Sequence, residues 1–290
     1  MIEVDCVVQS RDTLGEVPLW SPADRLLYWI DVRRPALHSY DPSSGSILTR
    51  VLPEAIGSFC LHGQGSLLLA LKSGIHTYEC DGELLTRVLQ PEPTLANNRL
   101  NDGKCDRQGR FWVGSMNDGD RIPSGTLYVV DRDWQCRPTL RGLTIPNSLA
   151  WSPDGKRMYF SDTQTFKIFS YDYDLENGAL LNPQVFADLS SYGGRPDGST
   201  VDADGCLWNA EANGSRVVRY TPDGRVDKTI ELPVSCVTSC AFGGTDLATL
   251  YITSARQRLS EEQLAGQPLA GALFAAHVGS VGIAETPFRG

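Results

Sequence analysis

The stretch PNSLAWSPDGKRMYFSDT, residues 146–163, contains two short apolar runs on either side of the turn sequence SPDG. Apolar runs joined in this way predict a β-hairpin. The same order of a strand, a turn residue and a second strand recurs five more times along the chain, in GEVPLWSPADRLLYWID (15–31), IGSFCLHGQGSLLLALK (56–72), RLNDGKCDRQGRFWVGS (99–115), RPDGSTVDADGCLWNAE (195–211) and VTSCAFGGTDLATLYIT (237–253). Such self-similarity indicates repeated copies of one structural unit.

A third apolar run follows each hairpin, so each unit has at least three strands. These runs are ALHSYD (36–41), GIHTYE (74–79), GTLYVVD (125–131), KIFSYD (167–172), RVVRYT (216–221) and GALFAAH (271–277). Six such units of about 40–50 residues predict an all-β fold, a six-bladed β-propeller with four-stranded blades around a central channel. We expect one domain over residues 1–290, with the N-terminal run IEVDCVV completing the last blade, and a short helix within 260–267. Two β-sandwich domains are the alternative.

The composition narrows the classes of partner. The net charge is −9 and no run of Lys or Arg occurs, which argues against nucleic acid and anionic membranes as partners. No segment approaches the roughly 18 apolar residues of a membrane span, and the N-terminus does not resemble a signal peptide. The eight cysteines form no CxxC pair, and we expect mostly reduced thiols in a cytoplasmic protein. The alternative is a secreted protein whose signal peptide has been removed, in which one disulfide would be plausible. We expect either a monomer or a weak homo-oligomer.

The residues at one aligned position, at the start of each hairpin, are the main candidates for a functional site. Its residues are separated by steps of 41, 44, 46, 50 and 41 positions, and they are Glu16, Gly57, Asn101, Asn147, Asp197 and Thr238. The innermost strands of a propeller line its channel, so these residues are expected to meet at one mouth. Carboxylates gathered there would repel one another unless a divalent cation bound them. Alternatively, the Asp and Asn side chains only bond local backbone, as they often do in turns.

At these residues the sequence resembles the SMP-30/gluconolactonase/luciferin-regenerating family of six-bladed propellers, in its bacterial sugar-lactonase branch. The resemblance spans the chain, and its stretches are LGEVPLW, NNRLNDGKCDRQGRFWVGSM, IPNSLAWSPDG, RPDGSTVDADGCLW and TSCAFGG. It implies hydrolysis of an aldonolactone, a pentono- or hexonolactone, to the aldonic acid. It also implies one divalent metal ion, whose identity among Ca²⁺, Zn²⁺, Mn²⁺, Mg²⁺ and Fe²⁺ stays open.

The resemblance also assigns roles to individual residues. Glu16, Asn147 and Asp197 would coordinate the metal, and Asp197 would also act as the general base. Arg99 would bind the lactone, and Asn101 would help to hold the substrate or a water molecule.

The chain departs from the family pattern at three places. Val17 and Ser148 stand where glycine is frequent in the family, and the loop NDGDRIPSG (117–125) differs, with Asp118 as a candidate substrate contact. These departures leave the substrate open. Two alternative functions therefore remain: another metal-dependent hydrolase on the same scaffold, either a phosphoesterase or a non-sugar lactonase, and a non-catalytic metal-binding propeller.

Overall fold

The computed structural model describes residues 2–290, which form six antiparallel four-stranded sheets. The first strand, β1 (Asp5–Val8), belongs to the last sheet. Blade 1 contains β2 (Gly15–Ser21), β3 (Leu26–Asp31), β4 (Ala36–Asp41) and β5 (Ser46–Val51). Blade 2 contains β6 (Ile56–Leu61), β7 (Ser66–Leu71), β8 (Gly74–Glu79) and β9 (Leu84–Leu89). Blade 3 contains β10 (Asn98–Cys105), β11 (Phe111–Asn117), β12 (Gly125–Val130) and β13 (Cys136–Leu143).

The second half of the chain repeats this pattern. Blade 4 contains β14 (Pro146–Trp151), β15 (Arg157–Asp162), β16 (Lys167–Asp174) and β17 (Ala179–Asp188). Blade 5 contains β18 (Arg195–Val201), β19 (Leu207–Ala212), β20 (Arg216–Tyr220) and β21 (Val226–Glu231). Blade 6 contains β22 (Val237–Gly243), β23 (Thr249–Ser254) and β24 (Leu273–His277). A short helix, α1 (Glu261–Gly266), lies between β23 and β24, within the segment expected to be helical. The prediction of a six-bladed propeller is confirmed.

The N-terminal strand closes the ring. β1 pairs antiparallel with β24, with Asp5 opposite Ala275 and Cys6 opposite Phe274, and so becomes the outermost strand of blade 6. The first and last strands of the chain therefore share one sheet, as the sequence predicted. Closure of this kind leaves the propeller only short outer edges.

Apolar side chains fill the spaces between neighbouring blades. Trp29, Trp112, Trp151 and Trp208 are among the largest fully buried side chains. They pack with aliphatic and aromatic residues of the first three strands of the blades, whereas the outermost strands carry many exposed residues. The core is therefore a ring of interfaces around the channel, which fixes the innermost strands relative to one another.

The C-terminal segment, residues 278–290, crosses the end of the channel opposite the predicted site. Its backbone bonds the turns that follow the innermost strands of four blades: Val281 accepts from Ala203, Gly282 donates to Leu247, Phe288 donates to Leu61 and Arg289 donates to Gly109. Glu285 forms an ion pair of 2.9 Å with Lys104 of β10. This end of the channel is therefore covered. Within residues 2–290 no helix is long and apolar enough to cross a membrane.

A buried aspartate organises the inner hairpin turn in blades 3 and 5. Asp202 accepts a hydrogen bond of 2.8 Å from the indole N–H of Trp208 and one of 2.8 Å from Nε of Arg219. Asp106 accepts an equivalent bond from Trp112 at 3.3 Å. Because each carboxylate joins its turn to a buried tryptophan, it links the hairpin to the core between the blades.

We expect Asp202→Ala to lower stability by about 3 kcal/mol, because the indole of Trp208 and the guanidinium of Arg219 lose a buried partner. For a chain of this size this corresponds to a fall in Tm of roughly 6 °C, measurable by circular dichroism. Asp204→Ala is the matched control, because Asp204 contacts the same Arg219 with a side chain that is 75% exposed. Equal effects of the two substitutions would contradict a structural role for the buried carboxylate.

Candidate active site

The aligned residues converge on a cavity of about 430 Å³ at one mouth of the channel. Five of the six line it: Glu16, Asn101, Asn147, Asp197 and Thr238. Arg99 lines it as well. The sixth, Gly57, packs against the inner strand of blade 3, where a Cβ atom would overlap the carbonyl oxygen of Leu100. Positions up to 222 residues apart in the sequence thus form one site.

A β-bulge recurs at this position in every blade. The register between the first and second strands shifts between Glu16 and Leu19, between Leu100 and Gly103 and between Pro196 and Ser199. Shifts at the matching place also occur in the other three blades, at Ile56/Ser58, Asn147/Ala150 and Val237/Ser239. A bulge adds a residue and re-aims the side chains beside it. The repeated bulge therefore positions the aligned side chains at the channel mouth.

The bulge brings in an acid that the sequence analysis missed. Asp102 follows Asn101, and a regular strand would direct it to the opposite face. Instead, Asp102 lies close enough to Glu16 and Asp197 for its charge to raise the pKa of both. Its own carboxylate accepts a hydrogen bond of 3.3 Å from the amide of Leu149 in the next blade. Three carboxylates from blades 1, 3 and 5 therefore share this region.

Burial and repulsion disfavour ionisation of these carboxylates. Burial, followed by the charge of Asp102, raises the pKa of Glu16 to about 8. Burial and the charges of Glu16 and Asp102 raise the pKa of Asp197 well above its usual value. Burial also raises the pKa of Asp102, although Lys104 opposes this. Within residues 2–290 no ion pair neutralises Glu16 or Asp197, so the pair favours a proton or a cation.

A neighbouring hydroxyl orients the side-chain amide of Asn147. Thr163 donates its hydroxyl proton to the carbonyl oxygen of Pro196 at 2.8 Å, so its oxygen is left to accept. It accepts from Nδ2 of Asn147, also at 2.8 Å. This arrangement directs Oδ1 of Asn147 away from Thr163, and its one hydrogen-bond partner within residues 2–290 is Nδ2 of Asn101 at 3.4 Å. An oxygen ligand is thus oriented by a residue behind it.

Asn101 is committed to protein partners. Its Oδ1 accepts a bond of 2.7 Å from Nη1 of Arg99, and its Nδ2 donates to the carbonyl oxygen of Pro146 at 2.9 Å. The amide therefore connects Arg99 with Asn147 rather than presenting a free oxygen ligand. This geometry agrees with a position of Asn101 next to the predicted metal. A contact between Asn101 and the substrate stays a prediction.

Asp118 joins two arginines of the cavity. It accepts two bonds of 2.8 Å from Arg33 and one of 2.9 Å from Nε of Arg99. Burial raises the pKa of Asp118, but the bonds and charges of the two arginines outweigh burial and lower it to about 2. Arg33 and Arg99 line the cavity, whereas Asp118 is not among the described residues that do. Asp118 therefore positions both guanidinium groups, and a direct substrate contact stays a prediction.

The fold and this site define a six-bladed propeller with an acidic, oxygen-rich centre at one mouth of its channel. Comparison with known proteins gives the family. Residues 14–256 match the SMP-30/Gluconolactonase/LRE-like region, and the chain belongs to this family.

Full-length relatives extend this match. A 6-deoxy-6-sulfogluconolactonase from Pseudomonas putida is 41% identical, and the alignment covers 98% of each chain. An L-arabinolactonase from Azospirillum brasilense is 36% identical and covers 98% of this chain and 95% of its own. The crystal structure of a calcium-binding protein, regucalcin, from Agrobacterium tumefaciens is 29% identical, covers 99% of this chain and 98% of its own, and superposes with a TM-score of 0.96.

Val17 and Ser148, where the family resemblance leads us to expect glycine, both have a left-handed backbone. The φ angles are +49° at Val17 and +64° at Ser148. Ser148 compensates by donating a bond of 2.5 Å from its hydroxyl to the carbonyl oxygen of Asp197, and it accepts one of 3.1 Å from Asn209. The side chain at this position thus fixes the bulge of the neighbouring blade.

We expect Ser148→Gly to be more stable than Ser148→Ala by about 1 kcal/mol. Both variants lose the hydroxyl, but only alanine retains a Cβ atom in the left-handed region. Ser199 is the control, because it is buried in the same hydrogen-bond network but its φ is not positive. At this position Ser199→Ala should be more stable than Ser199→Gly. Thermal unfolding of the four variants measures the difference, and the same order at both positions would contradict backbone strain at 148.

Proposed function

We propose that this protein is a divalent-metal-dependent sugar lactonase that opens an aldonolactone to the aldonic acid. The observation that carries the proposal is the pairing of two mutually repelling carboxylates, Glu16 and Asp197, with a guanidinium group in one cavity. A purely structural cation site has no need for an adjacent Arg99. The names of the Pseudomonas and Azospirillum relatives, both lactonases, support the reaction class.

The residues present fit a hard divalent cation. Glu16 and Asp197 supply carboxylate oxygens, and Asn147 supplies Oδ1, which Thr163 orients. All-oxygen sets of this kind suit Ca²⁺, Mg²⁺ or Mn²⁺, and carboxylates also bind Zn²⁺ or Fe²⁺. A cation would relieve the repulsion that raises the pKa of both acids. The calcium-binding Agrobacterium relative supports a divalent metal without fixing its identity.

Each residue then has a defined task in hydrolysis. When bound, the metal polarises the lactone carbonyl and lowers the pKa of nearby water. Asp197 orients the attacking water and accepts its proton as the new C–O bond forms. The ring C–O bond breaks, and the leaving ring oxygen takes up the proton that Asp197 accepted, so that it becomes a hydroxyl of the product and Asp197 is restored. Arg99 holds oxygen atoms of the substrate through Nη2, since Asp118, Asn101 and the carbonyl of Leu100 engage its other nitrogens.

The cavity has the size and polarity for a monosaccharide. Its volume of about 430 Å³ lies within the range of small-molecule sites. Most of the side chains that line it carry polar groups, which suits the hydroxyls of a sugar. A second candidate, a calcium-binding propeller without catalysis, is favoured only by the name of the Agrobacterium structure.

The decisive experiment measures acid release from a panel of aldonolactones by metal-stripped protein supplied with single divalent metals. Spontaneous opening is subtracted. We expect rapid opening of at least one lactone only when a metal is restored. Asp197→Asn should lower kcat by about 100-fold or more, because the proton acceptor is lost. The protein is not a sugar lactonase if no lactone responds to any metal, and calorimetric binding of Ca²⁺ in that case would favour the non-catalytic candidate.

Metal binding should release protons, because Glu16 and Asp197 are protonated preferentially in the metal-free protein. Because the pKa of Glu16 is raised to about 8 and that of Asp197 is also raised, metal affinity should rise as the pH increases from 6 through about 8, since protons compete less with the metal. Titration calorimetry at pH 7 in two buffers of different ionisation enthalpy counts the protons.

Glu16→Gln should weaken the metal affinity about tenfold or more and reduce the proton release. Glu261→Gln, on the exposed first turn of α1, is the control and should change neither. Unchanged metal content of Glu16→Gln after dialysis would exclude Glu16 as a ligand.

A further inference from the structure

Five arginines line the cavity of a protein whose net charge is −9. They come from separate blades and loops, and they are Arg33, Arg99, Arg121, Arg195 and Arg258. A neutral lactone has no charge to balance them. Their number therefore calls for a separate explanation.

Only two of the five form ion pairs within residues 2–290, and those two share one carboxylate. Arg33 and Arg99 share Asp118. Arg195 donates to the neutral side chain of Gln164 at 2.7 Å and lies 4.6 Å above the ring of Phe166, contacts that orient the guanidinium without cancelling its charge. These contacts leave the charge of Arg195 available to a ligand.

Arg121 and Arg258 make no ion pair or side-chain hydrogen bond within the described part of the chain. Arg121 is half-buried and Arg258 is exposed, so the two differ in how far they extend toward solvent. Together with Arg195 they give three positive charges at the cavity that form no ion pair with a carboxylate of the described residues.

The guanidinium groups are close enough to repel one another. Burial lowers the pKa of Arg121, and the charges of Arg258, Arg33, Arg99 and Arg195 lower it further. Arg121 and Arg258 also have left-handed backbones, with φ angles of +52° and +65°. Such conformations persist where the surrounding structure imposes them, and they cluster at binding sites. Two loops thus present arginines to one cavity against both electrostatic and backbone preferences.

We propose that Arg121, Arg195 and Arg258 form a binding site for an anionic group with three terminal oxygens, a sulfonate or a phosphate, carried by the lactone substrate. The inference rests on the proposed function, because it names the substrate class of the same cavity. Three guanidinium groups offer more donors than the two oxygens of a carboxylate can accept, whereas three terminal oxygens match them. The unpaired charges also attract an anion into a protein that is negative overall.

The test compares three lactones that differ at one carbon: gluconolactone, 6-deoxy-6-sulfogluconolactone and 6-phosphogluconolactone. We expect kcat/KM for at least one anionic lactone to exceed that for gluconolactone by about 100-fold, the effect of one or two charge-assisted hydrogen bonds. The ratio of the sulfonate to the phosphate value distinguishes the two anions. Added salt should reduce the preference.

Arg121→Gln and Arg258→Gln should each lower the ratio of anionic to neutral kcat/KM by about tenfold or more. Arg225→Gln, at a surface arginine whose side chain is 83% exposed, is the control and should leave the ratio unchanged. An equal kcat/KM for all three lactones, or arginine variants that lower all three values equally, would overturn the anion site while leaving the lactonase function intact.

Binding of the corresponding acids, measured by calorimetry, separates this inference from the proposed function. Suppose that no lactone opens, but that 6-phosphogluconate or 6-deoxy-6-sulfogluconate binds more tightly than gluconate and that Arg121→Gln abolishes this difference. That result would support the anion site and contradict the lactonase function. If no lactone opens and the three acids bind equally, both the anion site and the lactonase function are contradicted.

Discussion

The repulsion among three carboxylates at one mouth of the channel is the constraint on which the rest of the site depends. Burial raises the pKa of Glu16, Asp102 and Asp197, and they belong to three different blades. In a flexible chain such groups would move apart. Here each inner strand is fixed by its own sheet and by packing against its neighbours, and β1 closes the ring. The fold therefore holds a charge arrangement that a proton or a cation stabilises.

The sequence predicts the parts of the site that follow the repeat. Glu16, Asn147 and Asp197 occupy one aligned position, so a propeller must bring them to one end of its channel. Asp102 could not be found in this way, because an alternating strand would direct it away from its neighbour Asn101. A bulge is an extra residue in the pairing register, and a pattern of apolar and polar residues does not reveal it.

Partners behind the site were also invisible in the sequence, for a different reason. Thr163 follows the second strand of blade 4 and orients the amide of Asn147. Arg33 reaches the cavity from blade 1 and is held by Asp118 of blade 3. Both roles depend on contacts between side chains that are distant in the chain. Ser148 has a left-handed backbone, and its hydroxyl donates a hydrogen bond to the carbonyl oxygen of Asp197 in the adjacent blade.

The arginines of the cavity fall into two groups, those that form an ion pair with Asp118 and those that form no ion pair within residues 2–290. Groups near reacting atoms need fixed positions, because small displacements reduce the rate strongly. Asp118 supplies this by engaging Arg33 with both oxygens and Arg99 through Nε, and its single negative charge offsets part of their combined charge. Attraction of an anion from solution requires the opposite, an unbalanced charge. Arg121, Arg195 and Arg258 form no ion pair in the part of the chain that the structure describes, and the proposed anion site therefore assigns attraction of the substrate to residues other than those that Asp118 positions.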